Sequence, residues 1–190
     1  IYIDGHNINE FSRSDLRSDF GMVLQDTWLY NDTIMENIRY GKLDATEEEI
    51  IQAAKNANAH EFIMDLPDGY HTYIGQRGIK LSGGQKQRLS IARGVVGKPK
   101  ILILDDSTSA LDAKSEKLVQ EALEKELKDT TTFIIAEKIV SVMNADKIIV
   151  LDNGRLVAQG THQELLENSP IYQEIYATQK AREKAGDIIE

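Results

Sequence analysis

One short run constrains this chain more than any other: Ile101-Leu102-Ile103-Leu104-Asp105. Four consecutive apolar residues closed by an acid show neither a helical nor an alternating period. That is the pattern of a strand buried on both faces. Lys98-Pro99-Lys100 breaks any helix that precedes the run. After it, Leu118, Ala122, Leu123 and Leu127 mark one face of a helix, and residues 131–136 predict a second buried strand. A glycine-bearing loop at Ser82-Gly83-Gly84 opens a further helix through Gln85 to Val95. Helices alternating with buried strands predict an α/β unit with a parallel sheet. Acids at the carboxyl ends of such strands are where ligand chemistry sits, so Asp105 is a candidate site residue.

The flanks are legible in the same way. Phe20-Gly21-Met22-Val23-Leu24 reads as a strand that runs into Gln25-Asp26, and residues 1–5 as a strand end and a turn. Thr46-Glu47-Glu48-Glu49 is a capping box, with Ile50, Ile51, Ala54 and Ala57 on the face of the helix it opens. Its acids need be no more than a solvated helix start. Pro67-Asp68-Gly69 is a turn. Residues 147–151 and 155–158 around Asn153-Gly154 predict a hairpin, because Asn-Gly accepts the positive φ of a type I′ turn. Residues 171–190 read as a helix that becomes charged and frayed at its end.

Composition removes several function classes. Against 31 Asp and Glu stand 22 Lys and Arg, a net charge of −9, which argues against a general nucleic-acid partner. With no Cys there is no disulfide, thiolate zinc site or cysteine nucleophile. No run reaches the roughly 18 apolar residues of a membrane span. An apolar fraction of 41% over 190 residues suffices for a sizeable core.

The segment richest in chemistry is Leu81-Ser82-Gly83-Gly84-Gln85-Lys86-Gln87-Arg88. Two readings are open on residue types alone. Backbone N–H groups, the Ser82 hydroxyl and the helix dipole suit a phosphate; a plain N-cap needs the same serine and binds nothing. The context adds Asp105 twenty residues after Gln85, then Asp106 and Ser107-Thr108-Ser109-Ala110-Leu111-Asp112.

Together these segments resemble the nucleotide-binding domain of ABC transporters over nearly the whole chain. Residues 81–85 (LSGGQ) look like its signature motif, 101–105 like its Walker B strand, 109–112 like its D-loop, and Gln25 like its Q-loop glutamine. The resemblance implies a P-loop NTPase-like parallel sheet core, a helical ABC-specific subdomain, and a C-terminal hairpin plus helices. Residues 1–190 would be one domain fragment. Within it 1–45 carry a strand and the Q-loop, 46–96 the helical subdomain with the signature helix, and 97–190 Walker B, D-loop, switch region and C-terminal helices. It implies ATP and Mg²⁺, with Gln25 and Asp105 toward the metal and Ser82, Gly83, Gly84, Gln85 and Asp112 toward nucleotide. Asp112 would cross a dimer interface, or simply cap a helix.

Exporter-like features follow. Residues 33–38 and 160–166 match exporter patterns, which makes His162 structural. Residues 72–78 resemble the X-loop that contacts transmembrane coupling helices, with Gln76 where the family has Glu; Arg77 there would meet such a helix or stay solvated. Trp28 and Tyr30 are a partner surface or core. The implied partners are a second nucleotide-binding domain on a different chain and a transmembrane domain, at the cytoplasmic face of a membrane, with no nucleic acid.

Three departures shape the expected activity. The sequence has no G-x-x-x-x-G-K-[ST] phosphate loop, which in the family would precede Ile1. An N-terminally truncated piece is therefore expected, one that binds ATP negligibly and folds poorly when expressed alone. The general-base position after Walker B, normally Glu, is Asp106, and the switch-histidine position is Glu137. The first is one methylene short; the second cannot donate to a γ-phosphate when ionised. The expected function is that of the degenerate half of a heterodimeric exporter, whose LSGGQ completes a partner's competent site. The rivals are a soluble ABC ATPase of DNA repair or translation and a non-hydrolysing regulatory domain.

Overall fold

The computed structural model describes residues 1–75 and 79–186. Residues 76–78, and with them Gln76, Arg77 and Gly78 of the expected X-loop, lie outside the described residues, as does the end of the tail from 187. The chain divides into two compact units, Ile1–Ile135 and Ala136–Glu190.

The first unit is built on a three-stranded parallel sheet. Strands β1 (Tyr2–Ile3) and β2 (His6–Asn7) form a small antiparallel pair, and α1 (Arg13–Ser18) leads into β3 (Phe20–Val23). Helices α2 (Ile34–Arg39), α3 (Glu47–Asn56), α4 (His60–Met64) and α5 (Gly83–Val95) follow. Strand β4 (Ile101–Asp105), helix α6 (Ala113–Glu126) and strand β5 (Thr131–Ile135) complete the unit. The sheet order is β3-β4-β5, with Val23 beside Leu104 and Asp105 beside Ile135. Mixed α/β architecture and a parallel sheet are as expected.

The core fills the space between sheet and helices. Ile34, Ile38, Ile50, Ile63, Leu89, Ile91, Leu102 and Val119 are fully buried, and Ala53, Ala54 and Ala57 bring α3 close to its neighbours. Gly21 in β3 is required by a close approach. A Cβ there would run into the Gly94 carbonyl oxygen and lie 2.8 Å from Pro99 Cγ.

Two expectations are corrected here. Residues 131–136 predict a buried strand, yet every residue of β5 is exposed, with Phe133 at 56% and Ile135 at 53%. The reason is position. β5 is the sheet edge, its outer side pairs with no described strand, and local apolarity cannot tell an edge from a centre. Leu118 lies off the buried stripe of α6, which runs through Glu116, Val119 and Leu123; Leu118 is one residue, about 100°, around from Val119.

In the second unit, β6 (Ile148–Asp152) pairs antiparallel with β7 (Arg155–Gly160). Asn153 at φ 47° and Gly154 at φ 73° make the turn that the sequence predicts. Helices α7 (His162–Asn168) and α8 (Pro170–Gly186) follow, around a small core of Ile139, Ile148, Leu165 and Tyr172. His162 Nδ1 lies 2.8 Å from the Tyr172 hydroxyl, the structural use expected of it. Among the described residues no helix is long and apolar enough to cross a membrane.

Candidate functional site

Parallel pairing puts the carboxyl ends of β3, β4 and β5 at one edge of the first unit, as such folds place ligand chemistry. Gln25 lies two residues beyond β3, and Asp105 and Asp106 end and follow β4. Gln25 and Asp106 are brought together: the Gln25 amide nitrogen donates to Asp106 Oδ2 over 3.4 Å. That distance is long for a hydrogen bond, so the side chains are close without being locked. Asp106 has φ 43°, the left-handed region that non-glycine residues enter at a cost. Its backbone is held on both sides. Its N–H donates to the Ile135 carbonyl at 2.8 Å, and the Ser109 hydroxyl donates to its carbonyl at 3.0 Å.

The donor set here fits a magnesium ion only in a particular way. Mg²⁺ takes oxygen ligands and usually binds through one or two carboxylates, waters and substrate phosphates. Gln25 and the half-buried Asp105 supply such oxygens. No group of three or more acids and histidines able to hold a metal occurs among the described residues. Gln25 and Asp105 are the oxygen-bearing residues here that could hold such an ion together with a phosphate.

The start of α5 is the second cluster. Ser82 is its N-cap in a complete capping box: Ser82 Oγ accepts from the Gln85 N–H at 3.2 Å, and the Ser82 N–H donates to Gln85 Oε1 at 2.9 Å. Cap and anion site are thus compatible, because the box leaves the first N–H groups of the helix for a ligand. A Cβ on Gly84 would stand 3.1 Å from the Ala110 carbonyl oxygen, and one on Gly83 3.7 Å from Ala110 Cβ, so both glycines lie against residues 109–112. Asp112 caps α6, accepting from the Ser115 N–H at 2.9 Å. That bond, then the Ser115 hydroxyl, holds its carboxyl below the usual range. Arg88 donates to the Asn58 carbonyl at 3.0 Å and lies 4.8 Å over the Phe62 ring.

Glu137 stands in the second unit and is exposed. Its segment is clasped by one side chain of α8. Gln179 donates to the Glu137 carbonyl and accepts from the Ile139 N–H, both at 2.8 Å.

Trp28 is not in the core. It is 62% exposed, packs edge-on to Tyr30 at 4.2 Å, and Tyr30 lies 4.2 Å from Tyr40. Arg93 anchors this trio by donating to the Trp28 carbonyl at 2.9 Å. Sequence reasoning passed over Tyr40 and Gln87. Gln87 is buried although polar, and its signal was its spacing, one helical turn before the buried Ile91.

The family pattern of the ABC transporters matches residues 1–109. Relatives in several Staphylococcus aureus strains, named for multidrug export as ATP-binding/permease proteins, are 54% identical over 179 residues, 94% of this chain and 31% of theirs. The counterpart in the bovine strain RF122 is 53% identical over the same length. A solved bacterial exporter of the Atm1 family, with ATP bound, superposes with a TM-score of 0.88 at 43% identity, covering 94% of this chain and 31% of that one. The fold and the site thus define a nucleotide-binding domain of exporter type. This chain belongs to the ABC transporter family. It spans about a third of the length of the relatives it matches.

Proposed function

We propose that this chain is the ATP-binding domain of a membrane exporter, driving transport from the cytoplasmic face, and that its own ATP site is the slow one of two. The observation that carries this reading is a contrast within one domain. The signature residues Ser82 to Gln85 keep the family's sequence and a closed cap, while the general-base position holds the short Asp106. Phosphoryl transfer to water depends on positioning, and a displacement of about 1 Å can cost roughly 100-fold in rate.

Gln25 and Asp105 would hold Mg²⁺ with the nucleotide, and the ion would neutralise charge on the transferring phosphate. Asp106 would orient the attacking water from a carboxylate set back by one methylene. Glu137, at the switch position, puts an acid where the family resemblance implies a histidine that donates to the γ-phosphate. Ser82, Gly83 and Gly84 would clamp the γ-phosphate held by a second, different ABC domain, with Asp112 near that interface. The exposed Trp28 and Tyr40, flanking the half-buried Tyr30, offer an aromatic face for the transmembrane partner.

The test is ATP turnover by the full-length protein in membranes, alone and with its candidate partner chain. Turnover only in the presence of the partner is expected. Robust turnover alone would make this a self-sufficient homodimer and defeat the slow-site reading; turnover without any membrane domain would favour a soluble ABC ATPase.

A further inference from the structure

Gln87 makes a connection that no motif assigns. It is 3% exposed, one turn into α5, and its amide is used at both ends. Oε1 accepts from the Ala110 N–H at 2.9 Å, and Nε2 donates to Ser109 Oγ at 3.3 Å. Ser109 in turn donates to the Asp106 carbonyl at 3.0 Å. A buried primary amide with both ends satisfied is costly to replace, since either lost partner leaves a polar group unpaired. Ser109 and Ala110 are themselves exposed, so the loop is pinned from beneath by a side chain of the signature helix.

We propose that Gln87 is a positioning residue that fixes the register between the signature helix and residues 109–112, and through Ser109 the backbone of Asp106. The clamp residues Ser82 to Gly84, which face a partner's nucleotide, and the Asp106 turn, which faces this chain's own, then move as one body. This inference rests on the two-site reading given above. Bulk packing alone would not need an amide here, because Leu or Met fills a similar volume. The amide offers an acceptor to Ala110 and a donor to Ser109 together, which neither Leu nor Met can do. Gly84 adds the second constraint, since a Cβ there would stand 3.1 Å from the Ala110 carbonyl oxygen and force a shift of a few tenths of an ångström.

The experiment uses Gln87→Met in the full-length protein with its partner. Three quantities are read: hydrogen exchange in the peptide spanning residues 108–112, kcat and KM for ATP. Exchange at the Ala110 amide should rise at least about tenfold, because its bond to Gln87 is its protection. The kcat should fall about tenfold at unchanged KM, since the clamp contact is completed only on the way to the transition state. Adding Ser109→Ala to Gln87→Met should lower kcat no further, because both act through one link. If Gln87→Met fails to fold, Ser109→Ala alone, at an exposed position, carries the test, with kcat expected to fall about threefold at unchanged KM. Unchanged exchange overturns the link itself; raised exchange with unchanged kcat overturns its role in positioning. A wild-type protein with no turnover would defeat the functional reading instead, and the exchange result would still decide the link.

Discussion

At the start of α5, Ser82 and Gln85 close a reciprocal cap and two glycines lie against Ala110; at the end of β4, Asp106 sits in left-handed backbone with one long contact, 3.4 Å, to Gln25. The first region is tight at Gly84, where a Cβ would stand 3.1 Å from the Ala110 carbonyl oxygen. The second is held by its backbone and is loose at its side chains. The difference separates the two roles proposed for this chain. A clamp offered to another molecule must be rigid before the partner arrives. A site whose own chemistry is weak can keep its turn and lose side-chain precision.

The comparison breaks most visibly at Gly84. Gly84→Val should abolish turnover of the assembled transporter, by at least about 100-fold, because a Cβ would press on the Ala110 carbonyl and shift the clamp. Steady-state ATPase assays in membranes read this. Next comes the backbone of Asp106. Asp106→Val should lower stability by about 2 kcal/mol, since a branched side chain resists positive φ, whereas Asp106→Gly should change it by less than about 1 kcal/mol. Thermal unfolding of both variants measures the pair, and equal losses would mean that φ 43° carries no strain. Smaller still, Arg88→Met should cost about 1 kcal/mol, the lost bond to Asn58 being partly offset by removal of a buried Nε that has no partner. Denaturant titration tests that value.

The smallest effect is a pH dependence. Asp112 is held below its ordinary value of 3.8 by the Ser115 N–H and hydroxyl, so the folded state favours the ionised form. Its contribution is therefore present above that ordinary value and is lost as pH falls through the lower folded value. Asp112→Asn should flatten the acid limb of a stability–pH curve in that window, slightly lowering stability at neutral pH, where the ionised carboxylate contributes, and leaving the most acidic end little changed.

Much of this was legible in the sequence because it is local. Capping boxes at Thr46 and Ser82, the Asn153-Gly154 turn and the apolar run of β4 are each set by neighbours within a few residues. The candidate site was legible as motifs, and the parallel register then brought Gln25 and Asp106 together from 81 positions apart. What was hidden depends on who sits beside whom. Residues 131–135 read as buried because Phe133, Ile134 and Ile135 are apolar, but an edge strand is defined by its missing neighbour. Trp28 is exposed against the usual habit of tryptophan, edge-on to Tyr30, which lies beside Tyr40. Gln87 looked like one more polar residue in a helix until its two partners came into place from 22 and 23 positions away.

The contrast between clamp and carboxylate is tested most directly by two variants of the full-length protein, each assembled with its partner and assayed for ATP turnover. Ser82→Arg should lower turnover by at least about 100-fold, while Asp106→Asn should leave it within about threefold of wild type. Equal losses from the two variants would contradict the asymmetry and place Asp106 in a working site.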